Sequence, residues 1–216
     1  MVPLAVGRLS ELDAVTIDAN GTFVQLVDPV PKLAAALRDR GVDRSAADIA
    51  RAFEVEGRHY RPRSLSGRDP KSLSTLRREC AGVFLSALGA DLDAAEFAPA
   101  YVGAIEFEPV DGAVGAVQRL REHGLALALV ANWDISLHET LRRLRLDVLF
   151  DSVVTSAEAG AAKPDPAPFR LALERLAAAP GRALHIGDDV VDEQGARAAG
   201  MSFAWAPLAG AVEQLA

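Results

Sequence analysis

Three short apolar runs in this 216-residue chain each end abruptly at polar residues, with helical patterns between them. The first is Ala14-Val15-Thr16-Ile17, followed by Asp18. The second, residues 125–130, gives way to Ala131-Asn132-Trp133-Asp134. The third, Ala183-Leu184-His185-Ile186, gives way to Gly187-Asp188-Asp189. A strand covered on both faces reads as an unbroken apolar run, and the polar residue closing it marks its carboxyl end. Residues 152–155 and 202–205 carry two further strand signals.

Between these runs the apolar spacing becomes helical. Residues 112–123 place Val114, Val117 and Leu120 on one face, with Gly124 positioned to end the helix. Residues 135–146 carry Leu137, Leu141 and Leu144. Asp165 and Pro166 read as N-cap and first helical residue of a helix running to Ala177, closed by Pro180-Gly181. A short final helix is expected over residues 192–199, stopped by Gly200. Strands alternating with helices predict an α/β fold: a parallel, Rossmann-like sheet in three layers, with right-handed crossovers. Residues 28–107 break this alternation. After Pro29 and Pro31, which interrupt the chain, helical patterns cover residues 32–40, 46–60, 73–87 and 93–105 without a strand signal. The chain therefore divides into an α/β core of residues 1–27 and 108–216 and an all-helical insertion of residues 28–107.

Open parallel sheets bind ligands beyond the carboxyl ends of their strands. That crevice collects Asp18, Asn20 and Thr22 from the first strand, Asn132 from the second, and Asp188, Asp189 and Asp192 from a later one. Lys163, in a loop before a helix, can reach the same place. Carboxylates gathered this closely raise one another's pKa values, and a hard divalent cation relieves that cost. Mg²⁺ takes oxygen ligands, commonly one or two carboxylates with water and substrate phosphate. Fixed positive charge from the metal and Lys163 suits a phosphoryl group, and Asp18 can both bind the metal and attack phosphorus.

Asp18-Ala19-Asn20-Gly21-Thr22, the strand ending near Asn132, Lys163-Pro164-Asp165 and Gly187-Asp188-Asp189-Val190-Val191-Asp192 resemble, in order and spacing, the four motifs of the haloacid dehalogenase-like hydrolases. Residues 195–201 are similar to the stretch after the fourth motif, and the helical insertion lies where that superfamily carries a helical cap. The resemblance spans essentially the whole chain. It implies a Mg²⁺-dependent phosphatase of a small phosphorylated metabolite, working through an aspartyl-phosphate. Asp18 is then nucleophile and metal ligand, Asp188 a second ligand, and the backbone carbonyl of Asn20 a third. Lys163 holds nucleophile and phosphate together, with Asp189 and Asp192 supporting the metal from behind. Thr22, Asn132, Arg61 and Arg63 are the expected substrate contacts.

Two positions depart from the family pattern. Phosphatases of the family carry a second aspartate two residues after the nucleophile, where this chain has Asn20. An amide donates a hydrogen bond but cannot shuttle a proton, and losing general acid–base help costs about 10²–10⁴ in rate. Ala131 stands where the second motif offers a serine or threonine to the phosphate. One alternative is therefore a catalytically weakened homologue that binds a phosphorylated ligand or a partner. Another is a metal-independent hydrolase of a different bond, such as carbon–halogen, against which Gly187-Asp188-Asp189 argues, because that chemistry uses no Mg²⁺.

Taken singly, the motifs also have plain readings. Asn20-Gly21 is a hairpin signal, Asp188-Asp189 a helix-capping turn, and Lys163 a solvated loop charge. The basic stretch from Arg58 to Arg78 reads either as a solvated loop or as arginines that grip an anion. His185 reads as packed core, Trp133 as a pocket wall or as packing, and Cys80 as an inert half-buried thiol. The net charge of −7 argues against general nucleic-acid binding. No apolar run reaches bilayer-spanning length. Residues 1–12 lack the continuous apolar region of a secretory leader. A cytoplasmic protein without a membrane partner is expected.

Overall fold

A computed structural model describes residues 8–215. In chain order the elements are β1 (Ala14–Ile17), β2 (Val24–Leu26), α1 (Val30–Arg38), α2 (Ala46–Tyr60), α3 (Pro70–Leu88), α4 (Ala94–Ala104) and β3 (Phe107–Pro109). There follow α5 (Ala113–Glu122), β4 (Ala126–Ala131), α6 (Ser136–Leu144), β5 (Ser152–Thr155), α7 (Ser156–Ala159) and α8 (Ala167–Arg175). The chain finishes with β6 (Ala183–Gly187), α9 (Val190–Ala198), β7 (Ser202–Trp205) and α10 (Leu208–Leu215). Two compact units result: one runs through Gln25 and resumes at Glu108, and the other is Leu26–Phe107.

The first unit is built on a five-stranded sheet in the order β5-β4-β1-β6-β7. β1 lies at its centre, parallel to β4 on one side and to β6 on the other. Both faces are covered, which is why every residue of β1 and β6 is buried. Side chains alternate across a strand. Ala14, Ala128, Val130, Val154 and Ala183 pack with Phe169, Ala172 and Leu173 of α8 and Ala196 of α9. Residues of the opposite parity, Val15, Ile17, Leu127, Leu129, Leu184 and Ile186, are fully buried on the other face. There α5 and α10 pack against each other and against the sheet.

The second unit is the four helices α1–α4. Their buried faces bring together Leu33, Leu37, Ile49, Leu76, Phe84, Phe97 and Tyr101. Phe84 and Phe97 lie parallel with centroids 6.1 Å apart, and Tyr101 tilts against Phe84 at 5.0 Å. Ser45, Asp69 and Asp93 cap α2, α3 and α4, each accepting from a backbone N–H of the first turn.

Several expectations need correction. The hairpin that Asn20-Gly21 would signal if read alone is not formed: both neighbours of β1 are distant in sequence, and β2 pairs with β3. Pro31 does not break the chain but sits in the first turn of α1, where its missing N–H is not needed. Asp165 lies one residue before the N-cap position, and its carboxylate accepts from Ala167 N–H at 2.8 Å. The helix expected from Asp192 begins at Val190 with Asp189 as its cap, and after β7 the chain ends in α10, a helix not among the expected elements. Cys80 is fully rather than half buried. The reading of the N-terminal leader falls partly on residues 1–7, outside the described residues. No helix among the described residues is long and apolar enough to cross a membrane.

Gly195 shows how tightly the α8–α9 layer closes. A Cβ there would collide with the ring of Phe169, which is itself fully buried, and would stand 3.1 Å from the Pro164 carbonyl oxygen. Gly195→Ala is expected to destabilise the protein by about 1–3 kcal/mol in urea denaturation, even though alanine is the better helix former.

Candidate active site

The carboxyl ends of β1, β4 and β6 assemble a cluster with a buried floor and an open mouth. Asp18 leaves β1 with its backbone N–H donating to Ile186 O at 2.9 Å, so it emerges level with the end of β6. Asp188 follows β6, and Asp192 lies in the first turn of α9. Carboxylate oxygens of Asp18, Asp188 and Asp192 all lie within 4.8 Å of one another. Asp18 and Asp192 are buried and Asp188 is exposed, so the mouth is on the side of Asp188.

Lys163, buried to 5% exposure, supplies the opposing charge. Its Nζ donates to Asp18 Oδ1, to Asp192 Oδ1 at 2.6 Å and to the Val130 carbonyl at 3.0 Å. An ammonium has three N–H donors, and each has a partner. The loop bearing Lys163 is held by Asn132, whose Oδ1 accepts from Lys163 N–H at 2.7 Å and whose Nδ2 donates to Lys163 O at 3.0 Å. Asn132, read from sequence as a substrate contact, thus has both side-chain polar atoms committed to placing the lysine.

The two aspartates after Asp188 divide their work. Asp189 is exposed and caps α9, accepting from Val191 N–H at 3.2 Å. Asp192 faces inward, accepting from Asp189 N–H at 3.2 Å as well as from Lys163. Beneath it His185 donates from Nε2 to Asp192 Oδ1 at 3.3 Å, and its Nδ1 lies 2.8 Å from Thr16 Oγ1. His185 is core, as its strand position indicated, but its ring also ties β1 to the carboxylate that holds Lys163. A signal was present: it stands two residues before Gly187 in an otherwise apolar strand. Two glycines permit close approach. A Cβ on Gly187 would lie 2.6 Å from Asp192 Cγ, and one on Gly21, at φ +92°, would collide with the Asp188 carboxylate.

The remaining expected site residues are placed as follows. Thr22 is buried and its hydroxyl donates to Asp188 Oδ1 at 3.4 Å. Asn20 is exposed in the turn after β1, where it forms an isolated bridge with Val24. Arg61 and Arg63 belong to the second unit, on the exposed turn Arg61–Ser66, and Arg63 donates to the His59 carbonyl at 3.1 Å.

Burial pushes Asp18 up to about 6; Lys163 opposes the shift, and the charges of Asp192 and Asp188 reinforce it. Asp188 is raised by partial burial and by Asp192. Burial works against Asp192 too, but His185 and Lys163 hold it below the usual carboxylate range. Lys163 is raised despite its burial, because Asp18 and Asp192 flank it. Three carboxylates against one ammonium leave excess negative charge, and two of the three resist ionising. An oxygen-preferring divalent cation fits this set, since it removes the repulsion and uses the donors present.

The chain belongs to the haloacid dehalogenase-like hydrolases, whose family model matches residues 12–200. Among curated relatives, it is 42% identical over 96 residues to mouse haloacid dehalogenase-like hydrolase domain-containing protein 3; that stretch is 44% of this chain and 38% of the mouse protein. It is also 42% identical over 87 residues to a phosphoserine phosphatase of Thermus thermophilus, covering 39% of this chain and 35% of that one. The matched stretches thus span well under half of these relatives. In fold it resembles a β-phosphoglucomutase-type structure from Thermotoga maritima, with TM-score 0.71, 18% identity, and 94% and 98% of the two chains covered.

Two outcomes follow. Lys163→Met leaves Asp18 and Asp192 buried without their counter-charge, and urea denaturation is expected to show a loss of about 3–5 kcal/mol. A divalent cation held by Asp18 needs that carboxylate ionised, so Mg²⁺ affinity in titration calorimetry is expected to hold above pH of about 6 and to weaken by up to about tenfold per unit below it.

Proposed function

We propose that this protein is a Mg²⁺-dependent phosphatase of a small phosphorylated metabolite, with Asp18 as the nucleophile. The observation that carries this reading is Lys163 shared between Asp18 and Asp192, with Asp188 completing the carboxylate cluster. An Asp18 oxygen attacks phosphorus while the bond to the leaving oxygen breaks, giving an aspartyl-phosphate that water then hydrolyses. Lys163 orients Asp18 and offsets negative charge on the incoming phosphoryl group. Asp18, Asp188 and the backbone carbonyl of Asn20 would hold Mg²⁺, which when bound supplies positive charge toward a phosphate oxygen. Asp192 keeps Lys163 in place, and Thr22 steadies Asp188. Arg61 and Arg63 are assigned to the anionic substrate. The similarity to a phosphoserine phosphatase supports the phosphoryl chemistry.

A second reading, a weakened homologue that binds its ligand without appreciable turnover, is favoured by Asn20 and by Ala131, a buried residue with no hydroxyl at the end of β4. Phosphate release from a panel of acyl, aryl and alkyl phosphates separates the two. Turnover that requires Mg²⁺, stops with chelator and falls to background in Asp18→Asn is the expected result. Metal binding without release from any substrate would favour the second reading. Turnover unaffected by chelator would overturn the metal assignment.

A further inference from the structure

The charged groups acting on Asp18 are Lys163, Asp192 and Asp188. None is equipped to hand a proton to a departing oxygen. The three N–H donors of Lys163 are taken by Asp18, Asp192 and the Val130 carbonyl. Asp192 is buried against Lys163 and His185. Asp188 serves the cation site as an anion. His185 lies fully buried within β6, engaged by Thr16 and Asp192. Two residues beyond Asp18, Asn20 is exposed, and its amide is unable to exchange a proton. The other amide at the strand ends, Asn132, is bound to the lysine loop.

Phosphoryl transfer to Asp18 forms an oxygen–phosphorus bond and breaks another, whose electron pair leaves with the departing oxygen. A departing alkoxide is about as basic as hydroxide, the anion of water of pKa about 16, and needs a proton as it leaves. A departing carboxylate, whose acid has a pKa of about 4, needs none. The second half-reaction meets the same gap. Water attacking the phosphorylated Asp18 must lose a proton while the Asp18 carboxylate leaves with inorganic phosphate formed, and none of the groups acting on Asp18 is free to accept it.

Building on the phosphatase reading, we propose that Asp18 takes its phosphoryl group from substrates whose leaving group departs unprotonated, acyl phosphates being the class, and that the phosphorylated Asp18 then persists. The chain acts as a phosphoryl acceptor with slow release, rather than as a fast phosphomonoesterase.

The test uses acetyl phosphate and glycerol phosphate as probes, with Mg²⁺, on wild type and Asn20→Asp in a quenched-flow mixer. Wild type with acetyl phosphate is expected to release acetate in a burst of one equivalent per chain, followed by a slow phase. The Asp18 peptide from acid-quenched wild type should be heavier by one phosphoryl group, and glycerol phosphate should give neither signal. Asn20→Asp supplies the missing acid and base, so its burst should vanish and its turnover of glycerol phosphate should rise by about 10²–10⁴ over wild type. Wild-type turnover of glycerol phosphate comparable to that of acetyl phosphate overturns the inference, as does a wild-type acetate trace that is linear from the first turnover; either leaves the phosphatase reading standing. If neither protein reacts with either probe, the phosphatase reading itself fails and the inference with it.

Discussion

The site depends on one buried ammonium ion held between two buried carboxylates. Taking Lys163, Asp18 and Asp192 out of water costs several kcal/mol per ion, and attraction within the trio offsets that only if the geometry is held closely. Much of the surrounding structure fixes that geometry. Asn132 clamps the lysine backbone from both sides. The Val130 carbonyl accepts a hydrogen bond from the third ammonium N–H, and His185 steadies Asp192 from below. Glycines at positions 21 and 187 let the carboxylates approach the backbone where any side chain would intrude.

The charge of the cluster is left deliberately unbalanced by this arrangement. One lysine cannot neutralise three carboxylates, so Asp18 and Asp188 are held above their ordinary range while Asp192 is held below it. Asp192, which alone of the three meets both Lys163 and His185, is held as an anion. Asp18 and Asp188 are the two whose ionisation a divalent cation would favour. This sets Asp192, ion-paired with Lys163, apart from Asp18 and Asp188, although all three lie within 4.8 Å.

What the cluster lacks is as informative as what it holds. Hydrolysis through a covalent intermediate needs a nucleophile, charge stabilisation and proton transfer. On the proposed reading Asp18 and Lys163 supply the first two, from buried positions. The third role falls at Asn20, exposed in a turn, where an amide replaces a titratable group. On the proposed reading, the chain retains the groups that would place a phosphoryl group and lacks the one that would hasten its release.

The sequence by itself determined the sheet and the convergence of its strand ends. Continuous apolar runs demand cover on both faces, and a polar residue closing each run must then lie at a shared edge; Asp18, Asn132 and Asp188 were legible for that reason. Only the tertiary structure decided which donor meets which acceptor. Lys163 and Asp18 are 145 residues apart in the chain, and no local periodicity encodes such a pairing. Nor does sequence separate Asp189 from Asp192, three residues apart in one motif; their assignment to cap and to ion pair follows from which side of α9 faces Lys163. Asn20-Gly21 failed as a hairpin signal because both flanks of β1 were already filled by parallel strands from far along the chain. His185 showed its polar role only once Thr16 and Asp192 were brought to either side of it.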